Sequence, residues 1–101
     1  MTTQTIDQKK AEAFAGQMLG MLNNGMLAIL TSVGHRTALF DKIATMSPST
    51  SEQIAKAAGL NERYVREWLG AMTTGGIVEY DPNGRTYRLP PEHAGFLTRA
   101  A

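Results

Sequence analysis

The stretch TSEQIAKAAGLNERYVREWLGAMTTGGIVEYDPNGRTYRL, Thr50 to Leu89, decides the fold. Thr50 with Gln53 three residues on has the spacing of a reciprocal N-terminal cap, and Ile54, Ala55, Ala58 and Leu60 follow at helical intervals. Gly59 stops that helix, because glycine accepts the left-handed conformation that a helix end requires. Asn61 can cap a second helix, with Glu62 in its first turn where the helix dipole favours negative charge. Tyr64, Val65, Trp68, Leu69 and Met72 make its apolar stripe, and Thr73-Thr74-Gly75-Gly76 ends it. Ile77 to Tyr80 reads as a strand, Asp81-Pro82-Asn83-Gly84 as a turn and Thr86 to Leu89 as the returning strand. Pro90-Pro91 closes the hairpin, since proline has no N–H to donate to a ladder. Helix, tight turn, helix and hairpin together predict a winged helix-turn-helix. The fold class is mainly α with a small β-hairpin wing.

Outward on the N-terminal side, residues 1–6 read as disordered, and a helix is expected from about Asp7 with Ala11, Phe14, Ala15, Met18, Leu19 and Leu22 on its apolar face. Asn23-Asn24-Gly25 is expected to interrupt or end it. A second, very apolar helix then covers Met26 to Leu30 and Val33, Gly34 to Thr37 is a short break, and Ala38 to Ala44 is a third short helix. Met46 to Ser49 is a loop. On the C-terminal side, Glu92 onward reads as the start of a linker helix. The expected organisation is residues 1–48 as N-terminal apolar helices, 49–89 as the winged unit and 90–101 as linker, all in one compact domain.

The segment Met18 to Val33 invites a membrane reading. Asn23, Asn24 and two glycines interrupt it, and no apolar run in it approaches the ~18–20 residues of a span. These side chains are instead expected to be core, in part with a surplus face that packs on a second copy or another domain. Met18, Met21 and Met26 suit such a face, because methionine adapts its shape to a partner.

Composition narrows the function. The chain has 101 residues, 43% hydrophobic, with formal net charge +1 and no cysteine. Neither a disulfide framework nor a thiolate site is possible. An intracellular, cytoplasmic location fits. A winged helix raises the question of DNA, for which Arg63, Arg66, Arg85 and Arg88, with Thr73 and Thr74, are the candidate contacts. Between Ser49 and Leu89, however, Lys56 and those four arginines are balanced by Glu52, Glu62, Glu67, Glu79 and Asp81. Phosphate neutralisation supplies most DNA affinity, so a neutral unit is a poor reader. His35 and His93 have no partner at metal-ligand spacing, and His35 is read as a turn residue satisfying local backbone. Ser32, Ser47, Ser49 and Ser51 lie in no nucleophile elbow, and Gly75-Gly76 precedes a strand instead of following one. No catalytic, cofactor-binding or metal-binding residue is assigned.

Several stretches resemble one known family: Gly34 to Asp41, Ser49 to Ala55, Leu60 to Leu69, Gly76 to Tyr80 and Tyr87 to His93, with Asn61 to Leu69 the most specific. Together they look like the N-terminal winged-helix domain of bacterial S-adenosylmethionine-dependent methyltransferases. The resemblance implies a homodimer formed through the N-terminal helices and a lid over the substrate pocket of a Rossmann-like catalytic domain. It also implies S-adenosylmethionine in that missing domain, and no catalysis by this chain alone. Position 38 departs from the family pattern, with Ala where Gly is expected before Leu39-Phe40-Asp41. By position, Phe14, Met18, Met21, Leu22, Met26, Ile29 and Leu30 are the candidate dimer and lid residues. A small dimeric winged-helix transcription regulator and a stand-alone apolar-ligand-binding protein are the alternatives.

Overall fold

In a computed structural model, which describes residues 5–99, the chain runs α1 (Gln8–Arg36), α2 (Leu39–Thr45), α3 (Ser51–Ala58), α4 (Glu62–Thr74), β1 (Glu79–Asp81), β2 (Thr86–Arg88) and α5 (Pro91–Leu97). The reading of residues 1–4 as disordered lies outside the described residues.

The winged unit is set by local chemistry. Thr50 Oγ1 accepts from the Gln53 N–H at 3.2 Å while the Gln53 side chain accepts from the Thr50 N–H at 2.9 Å. Gly59 ends α3 at φ +69°, and the Leu60 N–H returns to the Ala55 carbonyl. Asn61 caps α4 through the Arg63 N–H. The hairpin pairs Glu79 with Arg88, Tyr80 with Tyr87 and Asp81 with Thr86. Ser49, expected in a loop, exchanges backbone hydrogen bonds with Tyr87 and makes a one-residue third strand. The first strand starts later than the expected Ile77, because the Ile77 and Val78 N–H groups both donate to the Met72 carbonyl at the end of α4.

Phe40, Ile54, Val65, Leu69 and Met72 are the largest fully buried side chains, so α2, α3 and α4 share one core, closed below by Val78 and Leu89. Tyr64, expected in the buried stripe of α4, is 70% exposed. It lies in the first turn of α4, on the wall of an open cleft shared with Leu39 and Leu60.

The N-terminal region differs most from expectation. Residues 8–36 form one continuous helix, with no interruption at Asn23-Asn24-Gly25 and no break at Gly34. Asparagine and glycine each cost a helix interior up to about 1 kcal/mol, but neither removes a backbone hydrogen bond as proline does. Asp7 caps the helix by accepting from the Lys9 and Lys10 N–H groups. Only the last third of α1 rests on the body of the domain, through Leu27, Leu30 and Gly34. Residues Phe14 to Val33 on its outer side are exposed, so they are not core of this chain. The radius of gyration is 18.1 Å, against about 13 Å for a compact domain of this length. The N-terminal part of α1 accounts for the difference.

By length and composition α1 is the one helix among the described residues that could cross a membrane. Asn23 and Asn24 interrupt its apolar sequence, and its last third is packed against α2 and α4.

Two positions hold α1 to the body. Gly34 is buried, and a methyl group there would run into the Trp68 and Phe40 rings. Ala38 links α1 to α2 at φ +61°, ψ +22°, the left-handed region that glycine occupies without strain. Gly34→Ala is expected to lose about 1–3 kcal/mol through overpacking, read as a lower urea midpoint. Ala38→Gly is expected to gain roughly 0.5–1 kcal/mol by relieving the left-handed alanine. A lower melting temperature for Ala38→Gly would contradict the strain.

Candidate functional site

The most extensive surface feature is the outer face of α1. Phe14, Met18, Met21, Leu22, Met26 and Ile29 are each between 37% and 65% exposed, and Leu19 and Val33 extend the same face. Of the predicted dimer and lid residues, Leu30 alone turns inward. It is half-buried against the core, and its carbonyl accepts the Trp68 Nε1–H at 2.8 Å. Trp68 packs edge-on to Phe40 with ring centroids 5.1 Å apart. The exposed face is thus carried by a helix anchored at one end and uncovered along the rest.

Three clefts border α1. One, of about 390 Å3, lies between Asn23, Met26, Leu27 and Leu30 and the Gly70, Ala71 and Thr74 side of α4. A second, of about 300 Å3, is walled by Val33, Thr37, Leu39, Leu60, Tyr64 and Trp68. A third, of about 340 Å3, runs from Thr31 and His35 to Phe96 and Leu97. All are open to solvent and their linings carry no cluster of acids, bases or nucleophiles. No group of three or more His, Asp or Glu side chains arranged for a metal occurs among the described residues.

Each histidine faces a backbone carbonyl. His93 Nδ1–H donates to the Ile77 carbonyl at 2.7 Å, tying α5 to the start of the wing. His35 is not a turn residue, since it lies in the last turn of α1, with Nδ1 3.4 Å from the Leu97 carbonyl. Arg99 completes this corner: its N–H donates to Asp41 Oδ1 at 2.9 Å, and its guanidinium donates to the carbonyls of His35 and Arg36 at the end of α1. Sequence periodicity holds no signal for that contact, which joins residues more than sixty apart.

Residues 25–99 match the family model of the Rv2258c-like winged HTH domain. The chain belongs to that family. No curated protein sequence matches it. Its fold is found within larger enzymes. A Nostoc punctiforme protein assigned as an O-methyltransferase superposes with a TM-score of 0.73 at 17% identity, over 99% of this chain and 27% of that one. Human N-acetylserotonin methyltransferase gives 0.72 at 17% identity, over 99% and 28%. The mitomycin 7-O-methyltransferase MmcR gives 0.70 at 20% identity, over 85% and 25%. The chain spans about a quarter of the length of these proteins.

In this Rv2258c-like domain the candidate DNA contacts are mostly engaged with carboxylates. Arg63 lies 3.6 Å from Glu67, Arg66 3.6 Å from Glu62 and Arg88 3.2 Å from Glu79. Glu62 is itself held by the Ser51 hydroxyl at 2.6 Å. Thr74 donates its hydroxyl to the Gly70 carbonyl, and the Thr73 hydroxyl is buried. Exposed pairs of this kind contribute at most about 1 kcal/mol each. Their consequence is electrostatic: the exposed face of α4 alternates sign instead of presenting a run of positive charge. Retardation of a random duplex at low salt is expected to be absent, and Arg63→Ala with Arg66→Ala to change nothing. Salt-sensitive binding that this double variant weakens would reverse that reading.

Proposed function

We propose that this domain is the dimerisation and substrate-lid module of an S-adenosylmethionine-dependent methyltransferase, and that methyl transfer belongs to a Rossmann-like catalytic domain outside these residues. The observation that carries the proposal is the uncovered apolar face of α1. A helix projecting from its own core with Phe14, Met18, Leu22, Met26 and Ile29 exposed is far from its lowest free energy in water. At about 25 cal/mol per Å2 of apolar area, burying this face between two copies supplies the driving force for association. The fold of the methyltransferases described above, each about four times longer, supports the catalytic partner.

Phe96, 87% exposed on α5, borders the cleft with Thr31 and His35 and gives the catalytic domain a second apolar contact. In this arrangement the domain contributes no reacting group. It closes the pocket with carbon surface, excludes water from the substrate and links two catalytic units into one particle. Localisation in the cytoplasm accords with a soluble cofactor and remains part of the same proposal.

The dimer is tested by sedimentation equilibrium on the chain and on Met18→Glu with Leu22→Glu. Wild type is expected as a dimer and the double variant as a monomer with unchanged helical circular dichroism. A wild-type monomer at all concentrations, or a variant dimer of undiminished strength, would remove the α1 seam from consideration.

A further inference from the structure

The outer face of α1 is spaced symmetrically about Leu22. Outward from Leu22, steps of four, three, four and three residues reach Met18 and Met26, then Ala15 and Ile29, then Ala11 and Val33, then Gln8 and Arg36. Every one of these side chains is exposed. Alternating steps of three and four are the spacing of a seam between two helices. Symmetry of the steps adds something further. When two copies cross antiparallel at Leu22, each position meets the one equally far from Leu22 on the other side. Small Ala11 and Ala15 then face branched Val33 and Ile29, and Met18 faces Met26. A parallel pair would set each residue against itself. Arg36 would face Arg36, and the alanines would leave a gap. In the antiparallel pair Arg36 instead meets Gln8 and lies beside the acidic Asp7.

This crossing brings a further residue into play. Ile6, just before the helix cap, is 75% exposed and sits sixteen residues before Leu22. The level sixteen residues after Leu22 is position 38, flanked by Thr37 and Leu39. These two line the cleft of about 300 Å3 whose other walls are Val33, Leu60, Asn61, Tyr64, Val65 and Trp68. Val33 belongs both to the seam and to that cleft, so the two surfaces are continuous. We propose that this cleft is a socket for Ile6 of a second copy, which crosses α1 antiparallel with Leu22 on the two-fold axis. The inference rests on the dimer proposed above. It adds a register, and it makes each winged unit incomplete until the other chain's N-terminal segment covers it. The exposure of Tyr64 and Leu60 follows, since their covering comes from the partner.

The chain has no cysteine, so single cysteines report positions without background. Three variants, Leu22→Cys, Ile6→Cys and Tyr64→Cys, are treated with a short bis-maleimide under conditions where sedimentation shows the dimer. Leu22→Cys is expected to cross-link to itself. Ile6→Cys mixed with Tyr64→Cys is expected to give a hetero-pair, while neither cross-links alone. Within one chain these positions are separated by most of the length of α1. Ile6→Asp is expected to raise the dimer dissociation constant at least tenfold with no change in circular dichroism. A dimer in which Leu22→Cys fails to cross-link overturns the register. A Leu22→Cys cross-link without the Ile6–Tyr64 pair, or an Ile6→Asp dimer of unchanged strength, overturns the socket alone. A wild-type monomer overturns the dimer reading and the socket with it.

Discussion

The seating of α1 on Trp68 is the constraint from which the rest of the molecule follows. The indole N–H reaches the Leu30 carbonyl, the ring edge meets Phe40, and Gly34 lets the helix backbone approach both rings. A buried indole N–H without a partner would cost about 1–3 kcal/mol. The hydrogen bond therefore fixes which turn of α1 lies on α4. Once that turn is fixed, the direction of the helix and the face it turns outward are fixed with it. Leu27, Leu30 and Gly34 point in, while Met18, Leu22, Met26 and Ile29 point away.

The core explains why these residues are left outside. Phe40, Ile54, Val65, Leu69 and Met72 already fill the space between three short helices. A winged unit of this size has no room for another helix face, and α1 adds only its last third. The electrostatics point the same way. Carboxylates on the same helix or the opposite strand engage Arg63, Arg66 and Arg88, so the surface with the most unmet free energy is the apolar one.

What was legible in the sequence was what local chemistry decides. The Thr50–Gln53 cap, the left-handed Gly59 and the Asn61 cap each depend on a few adjacent residues, and the helix-turn-helix followed from them. The Ala at position 38 was visible as a departure before Leu39, and the structure places it at a positive φ. The continuity of α1 was not legible, because the propensities of Asn23, Asn24 and Gly25 are weak and tertiary anchoring at Leu27 and Gly34 outweighs them. Tyr64 was misplaced for a related reason: periodicity gives the stripe but not how wide an arc the neighbours cover. The apolar residues of the candidate surface could be named from sequence. Their exposure could not, since it depends on which helices claim the core. The Arg99 contacts depend on the completed fold and leave no periodic trace.

Arg99 has a mechanical consequence. Its guanidinium grips the last carbonyls of α1, while its own N–H is held by Asp41. The same corner therefore joins the end of α5 to the fulcrum of a long rigid arm. From Leu30 back to Gln8, α1 extends roughly 33 Å at 1.5 Å per residue. A tilt of about five degrees at the anchored end displaces the far end by roughly 3 Å on that rise per residue. By the same geometry, a small change in how the Arg99 corner seats the end of α1 would be magnified at the N-terminal end of the helix.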